Sequence, residues 1–210
     1  KHYFADNFTM PGKNVTVYVN FGLEILIRTK EQLVGYLQNS KYWSGKYSFK
    51  LLNDIDLGGM EWTPVGDEYS KFFGNFDGDG HTISNFKLTK DAKNNGFFGA
   101  TKETTIKNLG LKNYSIKYDL SIQNNDDAIH LGALIGYAYE TVVENCYSTS
   151  DIVFDLNYTS SDKSYAYLGG LIGYAYASSM GNCYSTGNLN VSVNSSRALY
   201  SVYVGGLTGI

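Results

Sequence analysis

The residues of this chain that could do chemistry are few and scattered. Three histidines (His2, His81 and His130) and two cysteines (Cys146 and Cys183) stand among 210 residues. Metal or thiol chemistry would need them grouped, as a Cys-x-x-Cys pair or as His and Cys at ligand spacing. The cysteines instead lie 37 residues apart, and no histidine neighbours either of them. General acid–base work would need two carboxylates held together. Carboxylates pair up at Asp54/Asp56, Asp77/Asp79 and Asp126/Asp127, all in segments that read as turns, where solvated side chains are the simpler reading. The most site-like stretch is Phe76-Asp77-Gly78-Asp79-Gly80-His81-Thr82-Ile83. Asp77 and Asp79 could ligate calcium, but the EF-hand pattern needs a third oxygen residue where His81 stands, and a later Glu. A tight glycine corner is preferred there, with His81 as a turn residue. His-Glu-x-x-His, Gly-x-Ser-x-Gly and P-loop patterns do not occur. The expectation is no catalytic residue, no metal and no cofactor.

Composition explains what carries these residues. Aromatics reach 15% and charged residues only 18%, with 23 Gly and 2 Pro. Tyr, Phe, Val, Ile and Thr suit pleated surfaces, while Gly and Asn suit tight corners, so the chain reads as all-β. A net charge of −3 leaves no basic footprint for nucleic acid or anionic lipid. No apolar run approaches the roughly 20 residues that span a bilayer, and Asp6, Asn7 and Asn14 interrupt any signal-peptide core in residues 1–22. Neither a nucleic-acid partner nor membrane insertion is expected.

The organising feature is a repeat. Gly132-Ala133-Leu134-Ile135-Gly136-Tyr137-Ala138-Tyr139 recurs as Gly169-Gly170-Leu171-Ile172-Gly173-Tyr174-Ala175-Tyr176 and begins again at Gly205-Gly206-Leu207-Thr208-Gly209. A looser copy is Gly96-Phe97-Phe98-Gly99. The last glycines, 99, 136, 173 and 209, are spaced 37, 37 and 36 residues apart. A second motif, apolar-x-Asn-apolar, keeps phase at Ile83 to Phe86, Ile106 to Leu109, Val143 to Cys146 and Met180 to Cys183. Stacked units place equivalent residues about 4.8 Å apart. A column of Asn85, Asn108, Asn145 and Asn182 is therefore expected to bond along the stack with left-handed backbone. Phe86, Leu109, Cys146 and Cys183 would form one inward column. The cysteines then read as small core residues rather than a thiol site, although stacked Cα atoms fall within disulfide range.

Between motifs, Leu189-Asn190-Val191-Ser192-Val193 alternates, passes a polar turn at 194–197, and alternates again through Tyr203-Val204. Residues 152–168 repeat this around a turn at 159–163, and the preceding unit turns at 123–127. Such alternation predicts hairpins projecting from a coil of about two dozen residues. Thr29-Lys30-Glu31-Gln32 reads as a capping box, with Leu33, Tyr36 and Leu37 on one face of a short helix over 30–39 that would cap the first coil.

The string from Phe73 to Phe86, with the Gly-Gly-Leu-Ile-Gly and Asn-Cys-Tyr-Ser-Thr-Gly repeats, resembles the GLUG-motif family of bacterial surface proteins. Asp54-Ile55-Asp56-Leu57 and Trp62-Thr63-Pro64-Val65-Gly66 fit the same pattern, which covers about 24–210. The resemblance implies a right-handed parallel β-helix (β-solenoid), with a non-catalytic adhesin-like or stalk role in a secreted or wall-attached protein. It transfers no catalytic residues. Residues 8–21 resemble the closing strand of a small bacterial surface β-repeat module. The expected organisation is therefore 1–22 as the tail of a preceding module or a linker and 23–210 as the solenoid, within a larger modular chain whose coils continue. If it binds, the candidates are the tyrosine columns Tyr137/Tyr174, Tyr139/Tyr176 and Tyr147/Tyr184, facing a host glycan or extracellular protein; plain stacking is their simpler reading. A polysaccharide-active β-helix enzyme and an accessory domain of an IgA-cleaving metalloprotease are the alternatives.

Overall fold

The computed structural model describes residues 22–88, 92–122, 128–158, 165–195 and 201–210. The chain is nearly all strand, and every strand pairing among these residues is parallel. It visits the same sheets in the same order, lap after lap. A first sheet gathers Leu23–Ile27, Tyr47–Leu51, Asn75–Asp77, Thr105–Lys107, Val142–Glu144 and Ser179–Gly181 side by side. A second holds Ile55–Glu61, Thr82–Leu88 and then the pairs Gly110–Lys112 with Ser115–Ile122, Tyr147–Ser148 with Ile152–Tyr158, and Tyr184–Ser185 with Leu189–Ser195. A third stacks Asn94–Asn95, Ala128–Leu131, Tyr165–Gly169 and Ser201–Gly205; a fourth stacks Phe98–Lys102, Ile135–Tyr139 and Ile172–Tyr176.

One inward column measures the laps. Phe49 pairs with Phe76, Phe76 with Ile106, Ile106 with Val143 and Val143 with Met180, steps of 27, 30, 37 and 37 residues. The early laps fill their interior with rings. Phe49, Phe72, Phe76, Phe86, Phe97 and Phe98 are all buried, and Trp62 stacks on Phe97 at 4.5 Å while its indole N–H donates to the Phe97 carbonyl at 2.9 Å. Later laps use Ile106, Leu109, Leu134, Ile135, Val143 and Ile172 instead. Each such side chain contributes about 1.5–3 kcal/mol on burial, so the core grows by roughly equal increments per lap.

Register explains the glycines. Gly66, Gly99, Gly136, Gly173 and Gly209 follow one another up the fourth sheet, fixed by the pairs Val65 with Phe98, Phe98 with Ile135, Ile135 with Ile172 and Ile172 with Thr208. A Cβ at Gly99, Gly136, Gly173 or Gly209 would sit 2.3, 2.7, 2.7 or 2.5 Å from the carbonyl oxygen of the glycine one lap below. No side chain fits such a gap.

The asparagine column forms, with one member replaced. Asn182 donates its amide to Asn145 at 3.2 Å, Asn145 to Asn108 at 2.9 Å, and Asn108 to the Asp77 carboxylate at 2.9 Å. All three asparagines have φ between 52° and 54°, the left-handed region. The expected fourth member, Asn85, lies elsewhere: Ile83 pairs with Leu111, which puts Asn85 level with Asn113 and Phe86 under Tyr114, whose rings stack at 5.2 Å. Phe86 is thus not in the column of Leu109, Cys146 and Cys183. A lap has two asparagine corners, Asn108 and Asn113, both with positive φ and both followed by a buried side chain. The first copy of the motif belongs to the second corner.

The expected hairpins are replaced by something else. Ser115–Ile122 and Ala128–Leu131 do not pair with each other, and neither do their counterparts in the next two laps. Each arm bonds the same arm one lap on: residues 116–122 with 152–158 and those with 189–195, residues 128–131 with 165–168 and those with 201–204. Alternation correctly marks the strands, but stacking satisfies their backbones between laps. The turns at 123–127 and 159–163, and residues 196–197, lie outside the described residues, as does the segment 1–21.

A helix spans Lys30–Leu37. Thr29 caps it, accepting from the Gln32 N–H at 3.3 Å, and Gln32 Oε1 reaches back to the Arg28 N–H at 2.7 Å, one residue before the cap. Leu33 and Leu37 are buried, and three polar ties hold the segment to the first lap. Lys30 Nζ donates to the Leu57 carbonyl, Gln38 Nε2 to the Thr63 carbonyl and Trp43 Nε1 to the Leu37 carbonyl, at 2.7, 2.9 and 2.7 Å.

Candidate functional site

The outer surface of the fourth sheet carries the tyrosines singled out from the sequence. Tyr137 and Tyr139 are two residues apart on Ile135–Tyr139 and share its outer face, and Tyr174 and Tyr176 lie directly above them in register. The rings of Tyr137 and Tyr174 are 5.6 Å apart and 2° from parallel; those of Tyr139 and Tyr176 are 5.3 Å apart at 13°. A third column, Tyr147 and Tyr184, stacks at 5.0 Å and 4° around the corner. One lap below, lysines stand at the foot of two columns, Lys102 Nζ 5.3 Å from the Tyr139 ring and Lys112 Nζ 5.6 Å from that of Tyr147.

This stacking decides what the columns can offer. Ring faces are turned toward the neighbour above or below, so edges and hydroxyls face outward. Burial raises the Tyr137 and Tyr167 phenols above their ordinary pKa, and the Glu140 carboxylate raises Tyr139. They stay protonated at neutral pH and act as hydrogen-bond donors and acceptors.

A further column escaped sequence reasoning. Asn94, His130, Tyr167 and Tyr203 follow one another up the third sheet. The His130 ring stacks on Tyr167 at 5.3 Å and 15°, and Tyr167 on Tyr203 at 5.0 Å and 4°. It also meets the neighbouring column, with His130 5.0 Å from Tyr137 and Tyr167 4.8 Å from Tyr174. The available signal was the shared alternation of Ile129-His130-Leu131, Ala166-Tyr167-Leu168 and Val202-Tyr203-Val204. That signal is weak because the residue at this position changes from histidine to tyrosine between laps. His130 Nδ1 lies 2.7 Å from Asn94 Oδ1; with that oxygen accepting, Nδ1 carries the proton and Nε2 is left as an acceptor. Burial pulls the imidazole down to about 4, so the ring is neutral at pH 7.

Where the aromatic columns begin, a cleft of about 340 Å³ opens, lined by Glu68, Lys71, Lys93, Asn94, His130 and Tyr137. The register supplies the room, since Ala100 lies beneath Tyr137 and Asn94 beneath His130, where later laps carry rings. Lys71 Nζ donates to the Glu68 carbonyl at 2.8 Å, and Lys93 Nζ stands 4.0 Å from the Glu68 carboxylate. The cleft therefore offers ammonium groups, a carboxylate, an amide and a neutral imidazole beside an aromatic wall.

The carboxylates of the turns are held locally. Asp77 Oδ1 accepts from the Asp79 N–H and from Asn108, while Lys107 and Lys50 lie 3.4 and 3.1 Å from Asp77 and Asp79. Burial alone would raise the Asp77 pKa, but the Asn108 amide, the Asp79 N–H and Lys107 together hold it below the ordinary value. Asp54 accepts from the Thr82 N–H at 2.8 Å and meets His81 at 3.2 Å; Asp56 accepts from the Gly58 N–H at 2.7 Å. His81 is thus part of a turn-bracing pair, and Asp79 and Gly80 take the positive φ the corner requires. Asp126, Asp127 and His2 lie outside the described residues. The cysteines stack one above the other, Cys146 buried and Cys183 half-buried, both as free thiols.

The GLUG motif matches this chain twice, at residues 127–153 and 164–192. Each match covers most of one 37-residue lap, including a glycine motif and the corner at Asn145 or Asn182. A protein of Evansella cellulosilytica that carries the name of a Gly-rich membrane protein is 30% identical over 119 residues, 53% of this chain but 13% of that protein. The chain thus spans about an eighth of the length of this relative. No solved structure matches the chain. Among the described residues, no helix is long and apolar enough to cross a membrane.

Proposed function

We propose that this chain is a right-handed parallel β-helix serving as a non-catalytic stalk or binding module of a secreted or surface-attached bacterial protein. The observation that carries the reading is the residue-for-residue register of successive laps, which sets Tyr174 and Tyr176 over Tyr137 and Tyr139 and Tyr184 over Tyr147. A wall of that kind is rigid and extendable, and it presents side chains at a fixed pitch, which suits spacing and multivalent contact. The helix Lys30–Leu37 covers the interior of the first lap. Residues 23–210 form the module. Two GLUG matches and a relative named as a membrane protein support a bacterial surface setting.

The binding half of the proposal rests on Tyr137, Tyr139, Tyr174 and Tyr176, with His130 and the cleft beside Tyr137. Stacked rings offer hydroxyl edges, so recognition along the columns is by hydrogen bonding to the hydroxyls or carbonyls of a glycan or extracellular protein. At the cleft a sugar ring has space against Tyr137. The test is a glycan and host-protein array probed with wild type, the double variant Tyr139→Ala/Tyr176→Ala, and Tyr137→Ala. Binding that falls at least tenfold in the variants supports the reading. A wild-type chain that binds nothing on the array removes the binding half and leaves a spacer. Release of oligosaccharides from a polysaccharide panel would sink the non-catalytic assignment.

A further inference from the structure

Two thiols meet inside the stack in an arrangement that neither the tyrosine columns nor the fold requires. The ladders on either side, Glu144 with Gly181 and Tyr147 with Tyr184, place Cys183 directly over Cys146. The backbone N–H of Cys146 points at the Cys183 sulfur at 3.4 Å, and that sulfur lies 3.7 Å from the Val143 carbonyl, within the lap that carries Cys146. Cys146 is buried, with its thiol 3.3 Å from the Glu144 carbonyl. Cys183 is half-buried. In-register parallel neighbours stand about 4.8 Å apart, inside the Cα range that a disulfide spans. The equivalent position one lap down is the buried Leu109, so the column is built with an apolar side chain where no thiol is present.

We propose that Cys146 and Cys183 form a redox clip: a small disulfide oxidises the pair to an intramolecular disulfide that fastens two successive laps to each other. Cys183 reacts first. The hydrogen bond from the Cys146 thiol, with help from the Cys146 N–H, lowers its pKa, whereas that same hydrogen bond and burial push Cys146 up. The Cys183 thiolate attacks one sulfur of the small disulfide, forms a mixed disulfide and releases one thiolate. Cys146 then gives up its proton and attacks the Cys183 sulfur, displacing the second small thiol. Two protein S–H bonds are lost, one S–S bond is made, and the small disulfide is reduced to two thiols. Separation of the two laps then requires breaking a covalent bond.

The experiment uses the folded chain and oxidised glutathione. Intact mass and thiol titration in denaturant should show wild type losing two hydrogens and both thiols, without a retained glutathione. Peptide mapping should recover one species joining the segments that contain Cys146 and Cys183. Cys146→Ser should stop at a stable glutathione adduct on Cys183, and Cys183→Ser should react at least tenfold more slowly than wild type. Wild type that halts at the glutathione adduct, or keeps both thiols while remaining folded by circular dichroism, overturns the proposal. Peptide mapping of wild type alone decides it if either serine variant fails to fold. The outcome is independent of whether the tyrosine columns bind anything.

Discussion

Replacing Asn145 separates two forces that hold the laps in register. Its side chain makes two ladder bonds, donating to Asn108 at 2.9 Å and accepting from Asn182 at 3.2 Å, and its backbone sits at φ 52°. Glycine at this position keeps the backbone conformation and removes the bonds. Two hydrogen bonds at about 0.5–1 kcal/mol each, with about 0.5–1 kcal/mol of added backbone freedom, put Asn145→Gly at roughly 1.5–3 kcal/mol. Alanine loses the same bonds and must also hold a left-handed conformation that costs about 1–2 kcal/mol. It does not incur glycine's entropy, so Asn145→Ala should exceed Asn145→Gly by about 1 kcal/mol. Urea unfolding followed by far-ultraviolet circular dichroism reads both values from the midpoint, provided the slope is unchanged. A double variant Asn108→Gly/Asn145→Gly should cost less than the sum of the singles, because the bond between them is removed only once. Two results would refute the reasoning. If glycine is neutral, the ladder contributes nothing; if glycine and alanine cost the same, the left-handed corner is not what selects asparagine.

Two further outcomes test the packing and the buried histidine. Gly136→Ala places a Cβ 2.4 Å from the Asn95 nitrogen and 2.7 Å from the Gly99 oxygen, both backbone, so it should cost at least about 3 kcal/mol or prevent folding; Gly35→Ala, in the helix with nothing within 4 Å, is the control and should be neutral or stabilising. His130 is held near 4 in the fold against about 6.5 unfolded. Between those values the unfolded chain binds the extra proton, so this contribution to stability is fully present above about pH 6.5 and lost as pH falls toward 4. The loss is on the order of 3 kcal/mol and should disappear in His130→Phe. Nitrogen-15 chemical shifts of the ring titrating near 6.5 in the native chain would contradict the assignment.

The sequence made the long laps legible because two motifs kept the same 37-residue phase, and identical neighbours stack with identical side chains. Its errors have a common physical source: a local pattern states what a residue needs, not who supplies it. Ile83 to Phe86 and Ile106 to Leu109 look alike because each places an asparagine with positive φ before an inward side chain, yet they occupy different corners. Only the pairing of Ile83 with Leu111 tells them apart. Alternation around 115–131 likewise announces two strands whose backbones need partners, and is silent on whether each arm finds the other or its own copy one lap away. In the candidate site, the tyrosine columns followed from the repeat, but the column through His130 did not. The chain spells that column with three residue types on four successive laps, asparagine at 94, histidine at 130 and tyrosine at 167 and 203, and only register aligns them.

The amide chain through Asn182, Asn145 and Asn108 has a direction. Every member donates toward the first lap, Asn145 and Asn108 accept from the lap above, and the sequence of dipoles terminates on the negative charge of Asp77. The column is therefore polar, as is a polymer whose two ends differ. A lap inverted, or a neighbouring chain approaching the wrong way round, would bring oxygen to oxygen or nitrogen to nitrogen along this line. The line of amides thus has two unlike ends, with the carboxylate of Asp77 at one of them.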